Sequence, residues 1–208
     1  LERLGSAVSV GAAWRQSQGE DAASIGAGRT LAEECIRQAA VGWHKDWMEA
    51  GKEPGGHLGR ARAAYRPYVG AFPGEPRTHA LHYSFGELLY AQHDYGEAYE
   101  QYVAAVQVDP RGQHSRFCAE SAFYAAEEML KLEEAAGRLA GSEQDASVRV
   151  PLNAWEERVV VAADLHGRYF RTHDRTRERI WRAAYLLIDH NDWVRAADRV
   201  LLAIEMEP

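Results

Sequence analysis

Nine histidines and two cysteines are the side chains of this sequence best suited to metal or nucleophilic chemistry. His79 and His82 are spaced i, i+3, and His93-Asp94, His173-Asp174 and Asp189-His190 are neighbouring pairs of base and carboxylate. A zinc or acid/base site needs several such groups converging from fixed elements. No HExxH, paired CxxC or dense ligand cluster supplies that convergence. His93 and His190 fall at expected helix ends, where a cation complements the terminal carbonyls. Cys35 and Cys118 lack metal spacing and sit in apolar helical stripes, which predicts two buried free thiols. There is no GxSxG elbow and no glycine-rich phosphate loop. The expectation is a chain without catalytic residues, metal or cofactor.

Charge narrows the partner class. The 208 residues carry 24 Lys+Arg against 31 Asp+Glu, a net −7, which argues against a dedicated nucleic-acid binder. The densest cationic stretch is Arg168, Arg171, Arg175, Arg177, Arg179 and Arg182, diluted by Asp164, Asp174 and Glu178. It reads first as a solvated helix face with ion pairs, second as a contact for an acidic peptide. The longest apolar run, Ala183 to Ile188, is far too short to span a bilayer. A hydrophobic content of 46% is ample for a buried core.

The elements that must position these groups emerge from an internal repeat. Residues 61–110 and 159–208 align without a gap, and ten of fifty positions are identical. Among them are Phe72/Phe170, Thr78/Thr176, Leu89/Leu187, Asp94/Asp192, Ala98/Ala196, Ala105/Ala203 and Pro110/Pro208. Within each block the apolar spacing predicts two short helices broken at His93-Asp94 or Asn191-Asp192. Longer helices are expected over about 30–50, with Leu31, Cys35, Ile36, Ala39, Trp43 and Trp47 on one face, and over about 114–139. That second helix should bury Phe117, Cys118, Ala122, Ala125, Met129 and Leu132. A polar linker over about 140–151 leads to a helix over about 153–172. Residues 1–15 read as a helix, Ser17 to Gly28 as a loop or hinge, and Pro67 should kink its helix.

This pattern resembles the tetratricopeptide repeat (TPR), a 34-residue helical hairpin. Gly86 takes its small first-helix slot, and Ala98, Tyr102, Ala105 and Pro110 its second-helix signature and closing proline. Ala184, Ala196, Val200, Ala203 and Pro208 do so in the copy, with partial matches at Ala64, Tyr68, Ala71 and Pro76. The departure is a Gly/Pro-rich stretch around Lys52 where a first helix belongs. The resemblance implies an all-α fold, an α-solenoid of antiparallel hairpins in which long and short hairpins alternate. Residues 1–29 would be a remnant helix and linker, 30–112 a first pair of hairpins and 113–208 a second, in one continuous solenoid. It also implies a non-catalytic scaffold or adaptor that binds a protein or peptide along its first helices. Tyr83, Glu87, Tyr90, Glu178, Trp181, Tyr185, Ile188 and Asp189 fall at the groove-lining places. The segment from Tyr65 to Pro73 is similar to bacterial cell-envelope TPR proteins of the outer-membrane assembly lipoprotein type, which implies a periplasmic, membrane-associated assembly. A regulatory or substrate-recruiting arm of a larger enzyme, and a structural subunit of a complex, are the alternatives. Because the sequence stops at the closing proline of a repeat, we expect either a longer parent chain or a final helix capped by a partner.

Overall fold

The computed structural model describes residues 3, 16–19, 21–53, 55–139 and 145–206. The expected helix over 1–15 lies, apart from Arg3, outside the described residues. The fold is all-α, with no strand among the described residues. Its helices are α1 (Ala22–Glu49), α2 (Gly56–Ala71), α3 (Thr78–Tyr90), α4 (Tyr95–Val108), α5 (Ser115–Ala135), α6 (Ala154–Tyr169), α7 (Thr176–Asp189) and α8 (Trp193–Glu205). Two compact units divide the chain, residues 1–88 and 89–208.

In the first unit α1 packs on α2. α1 starts at Ala22, inside the stretch expected to be a loop, because the Asp21 carboxylate accepts the N–H groups of Ala23 and Ser24. Its buried stripe is Ala32, Glu33, Ile36, Ala40 and Trp47, whereas Leu31 and Cys35 are exposed. The expected apolar face is therefore rotated by about one position. Glu33, beneath α2, accepts the Tyr68 hydroxyl at 2.8 Å, and this polar anchor turns the helix so that Leu31 and Cys35 face water. Gly51 and Lys52 take left-handed conformations (φ 76° and 62°) to reverse the chain, and the Lys52 N–H closes on the Trp47 carbonyl at 3.0 Å. α2 continues through Pro67. Tyr65 stacks flat on Phe85 with centroids 5.1 Å apart.

In the second unit each helix from α4 to α8 packs on its successor. Several positions matched between the two sequence blocks prove to be turn chemistry. The Thr78 hydroxyl donates to the Phe72 carbonyl, and its counterpart Thr176 donates to Phe170 at 2.7 Å. His93 and Asn191 both reverse the chain with positive φ (61° and 56°). The following Asp94 and Asp192 N–H groups then return to Leu89 and Leu187, at 3.0 and 2.8 Å. α6 begins with a capping box: Asn153 accepts the N–H groups of Trp155 and Glu156, while Glu156 accepts the Asn153 N–H at 2.7 Å. Gly167 lets α6 approach its neighbours, since a Cβ there would meet Ile180 Cδ1 at 2.9 Å and Leu202 Cδ2 at 3.3 Å. On α5, Cys118 is buried as expected, but Phe117 and Leu132 are about half exposed. The stripe that closes this interface is built of small residues, Ala119, Ala122, Ala125 and Ala126.

Candidate functional site

A hollow of about 800 Å³ opens between α5 and α7 in the second unit. Phe123, Tyr124, Glu127 and Lys131 follow one face of α5 at i, i+1, i+4 and i+8; Glu178, Trp181, Arg182 and Tyr185 follow one face of α7 at i, i+3, i+4 and i+7. Trp181 and Tyr185 stack with centroids 5.9 Å apart, and Tyr185 stays more than half exposed. This face therefore presents apolar area already fixed in conformation.

Beneath these rings lies Arg179, which the sequence placed on a solvated face and the structure buries. Its guanidinium binds Glu120 at 2.6 Å, donates to His166 Nε2 at 2.9 Å and lies over the Phe123 and Tyr124 rings. Burial, then the Arg179 charge, pushes His166 down to about 3, so the imidazole is neutral and can accept that bond. With Nε2 accepting, Nδ1 carries the proton and faces the Thr176 hydroxyl at 3.3 Å, which itself donates to Phe170. Burial pushes the Glu120 carboxyl up, but the hydrogen bond and charge of Arg179 outweigh it and hold the group below the ordinary carboxylate range. The network ties α5, α6 and α7 together and fixes the floor of the hollow.

The rim is charged and largely self-paired. Arg182 binds Glu127 at 3.0 Å, Lys131 binds Glu128 at 2.6 Å, and Arg175 donates to the Tyr124 hydroxyl at 2.8 Å. The Arg182–Glu127 bridge also borders a second hollow of about 640 Å³, which runs on to Leu186, Asp189, Glu156 and His190. There His190 Nε2 meets Glu156 Oε1 at 3.0 Å, both buried, so this helix-end histidine holds the fold together.

Of the expected groove residues, Glu178, Trp181 and Tyr185 line the first hollow and Asp189 the second. Ile188 is half-buried and lines neither. Tyr90 is half-buried, packing edge-on to Tyr95 at 5.0 Å, with burial and then the nearby Glu128 charge raising its hydroxyl. Tyr83 and Glu87 are half-buried and belong to the first unit. The sequence reading missed Phe123, Tyr124, Glu127 and Lys131 on α5, because the longer hairpin was not aligned to the repeat. Their spacing, aromatic pair followed by charges one turn on, was the available signal.

No protein-family model and no curated protein matches this chain. Among the described residues no cluster of three or more His, Cys, Asp or Glu side chains is placed to hold a metal, and no helix is long and apolar enough to cross a membrane.

Proposed function

We propose that this chain is a non-catalytic scaffold or adaptor, an α-solenoid of TPR-like hairpins that binds a protein or peptide between α5 and α7. The observation that carries the reading is the stack of half-buried Trp181 on exposed Tyr185, facing Phe123 and Tyr124 across an open hollow. Stacked aromatics with polar tips offer large contact area at small entropic cost, which suits capture of side chains from a partner. The Arg179–Glu120–His166 network keeps the floor rigid, so little ordering is needed on binding. The charged rim would set register and orientation, with the Glu127–Arg182 bridge separating two side-chain pockets. The resemblance of the Tyr65–Pro73 segment to cell-envelope TPR proteins supports a place in a periplasmic assembly.

The test is selection of peptides from a displayed random library against the chain, followed by affinity measurement on a Trp181→Ala/Tyr185→Ala variant of equal helicity. Two aromatic anchors at about 2 kcal/mol or more each should weaken the selected peptides by at least about 100-fold. Selected peptides that bind the variant as tightly as the parent chain would refute the assignment.

A further inference from the structure

The second hollow has apolar walls and polar groups whose partners are only partly supplied. Leu130 of α5 and Leu186 of α7 are buried along it, and half-buried Leu139 continues the apolar side. Its lysine and arginine are already engaged: Lys131 binds Glu128 at 2.6 Å and Arg182 binds Glu127 at 3.0 Å. Two of its carboxylates are not. Glu134 on α5 and Asp189 on α7 are exposed, and among the described residues neither side chain has a cation or a hydrogen-bond donor.

His190 adds a third acceptor. It borders the hollow, is only 5% exposed, and its Nδ1 has no hydrogen-bond partner among the described residues. Glu156 decides the tautomer. One carboxylate oxygen accepts the Asn153 N–H at 2.7 Å and the other lies 3.0 Å from His190 Nε2, so Nε2 carries the proton and donates. In the neutral ring Nδ1 is then a buried acceptor, which costs free energy while no donor meets it. The backbone field has the same sign. α5 and α7 both end beside this hollow, at Ala135 and Asp189, and neither carries a basic residue in its last turn, whereas α6 has His166 and Arg168 there. The negative ends of two helix dipoles therefore lie here without a cation of their own.

The unmet polar groups of this hollow are thus all acceptors, two of them anionic, set beside walls suited to a methylene stem. We propose that the second hollow takes an arginine or lysine side chain of the peptide bound between α5 and α7, with its stem along Leu130, Leu139 and Leu186 and its cationic head between Glu134 and Asp189. The inference rests on the proposed peptide-binding role and adds the residue type that the second pocket selects. Spacing follows from α7. Trp181 and Tyr185 face the first hollow and Leu186, Asp189 and His190 the second, so their centres lie about 8 Å apart along the helix. An extended peptide covers that distance in about two or three residues.

The test extends the peptide selection. A displayed random library is selected on the parent chain and on a Glu134→Gln/Asp189→Asn variant, whose substitutions lie at exposed positions. Peptides from the parent chain should carry an arginine or lysine about two or three positions from an aromatic or aliphatic anchor. Peptides from the variant should keep the anchor and lose the basic residue. A selected peptide should bind the variant about tenfold more weakly, and should weaken about as much on the parent chain when its basic residue becomes norleucine. The two losses should not add, because they remove the same contact. Peptides that need Trp181 and Tyr185 yet show no enriched basic residue, or that bind the Glu134→Gln/Asp189→Asn variant as tightly, would overturn this inference and leave the proposed function standing. A loss on the acid variant alone would uphold the basic side chain and refute the aromatic anchor. Indifference to both variants, or no enriched peptide, would overturn both.

Discussion

The neutral His166 beneath the groove makes stability fall as pH falls, by an amount that can be worked out. Its folded-state value of about 3 lies well below the ordinary imidazole value near 6.5, so the unfolded chain binds a proton that the folded chain refuses. The sign follows: the contribution is fully present above the unfolded value and is lost as pH falls from there toward the folded one. Between about pH 7 and about pH 5.5 the unfolded histidine goes from mostly neutral to about nine-tenths charged, which costs the folded state about 1.2 kcal/mol. Replacing the residue with Gln removes the titration and leaves an amide oxygen that can accept the Arg179 N–H. Urea denaturation followed by tryptophan fluorescence at both pH values gives the difference directly. The parent chain should lose about 1 kcal/mol more than His166→Gln on acidification. Because both proteins share every other titratable group, the subtraction centres on this ring. An identical loss in the two proteins would refute the neutral, accepting imidazole and with it the account of how the groove floor is held.

Two further outcomes follow from the same structure. A disulfide-exchange reagent should titrate one thiol, exposed Cys35, in the native chain and both in denaturant, because Cys118 is fully buried; mass spectrometry of the labelled chain identifies the site. Asn153→Ala should cost about 1 kcal/mol in urea denaturation, since it removes the side chain that caps α6, and Asn153→Asp should restore most of that loss.

What was legible in the sequence was the part written in local rules. The reversal at His93-Asp94 and Asn191-Asp192 and the helical periods of α3, α4, α7 and α8 each depend on neighbours a few residues apart. Which apolar residues of a long helix face inward was not legible on α1 or α5. There the apolar positions cover more of the circumference than the interface needs, so a distant polar contact decides. Glu33 against Tyr68 makes that choice on α1. The burial of Arg179 escaped for a related reason. Its compensating groups, Glu120 and His166, come from two other helices and are 59 and 13 residues away along the chain. A run of arginines looks solvated until the acids that meet them from other helices are placed. The same is true of Arg182 with Glu127, Arg195 with Glu157 and Arg199 with Asp164.

The two sequence blocks also divide their positions by role, and that division bears on specificity. Identities fall on residues that close the backbone or fill helix crossings: Phe170, Thr176, Leu187, Asp192, Ala196 and Ala203 in the second block, with the same types in the first. Groove places differ between them: Tyr83 becomes Trp181, Glu87 becomes Tyr185 and Tyr90 becomes Ile188. A duplicated hairpin keeps what the fold requires and is free to change what faces outward. Trp181 and Tyr185 line the hollow between α5 and α7, whereas Tyr83 and Glu87 belong to the first unit, so the proposed binding surface is built from the second block's own side chains. The expected ligand therefore seats an aromatic or aliphatic anchor between α5 and α7.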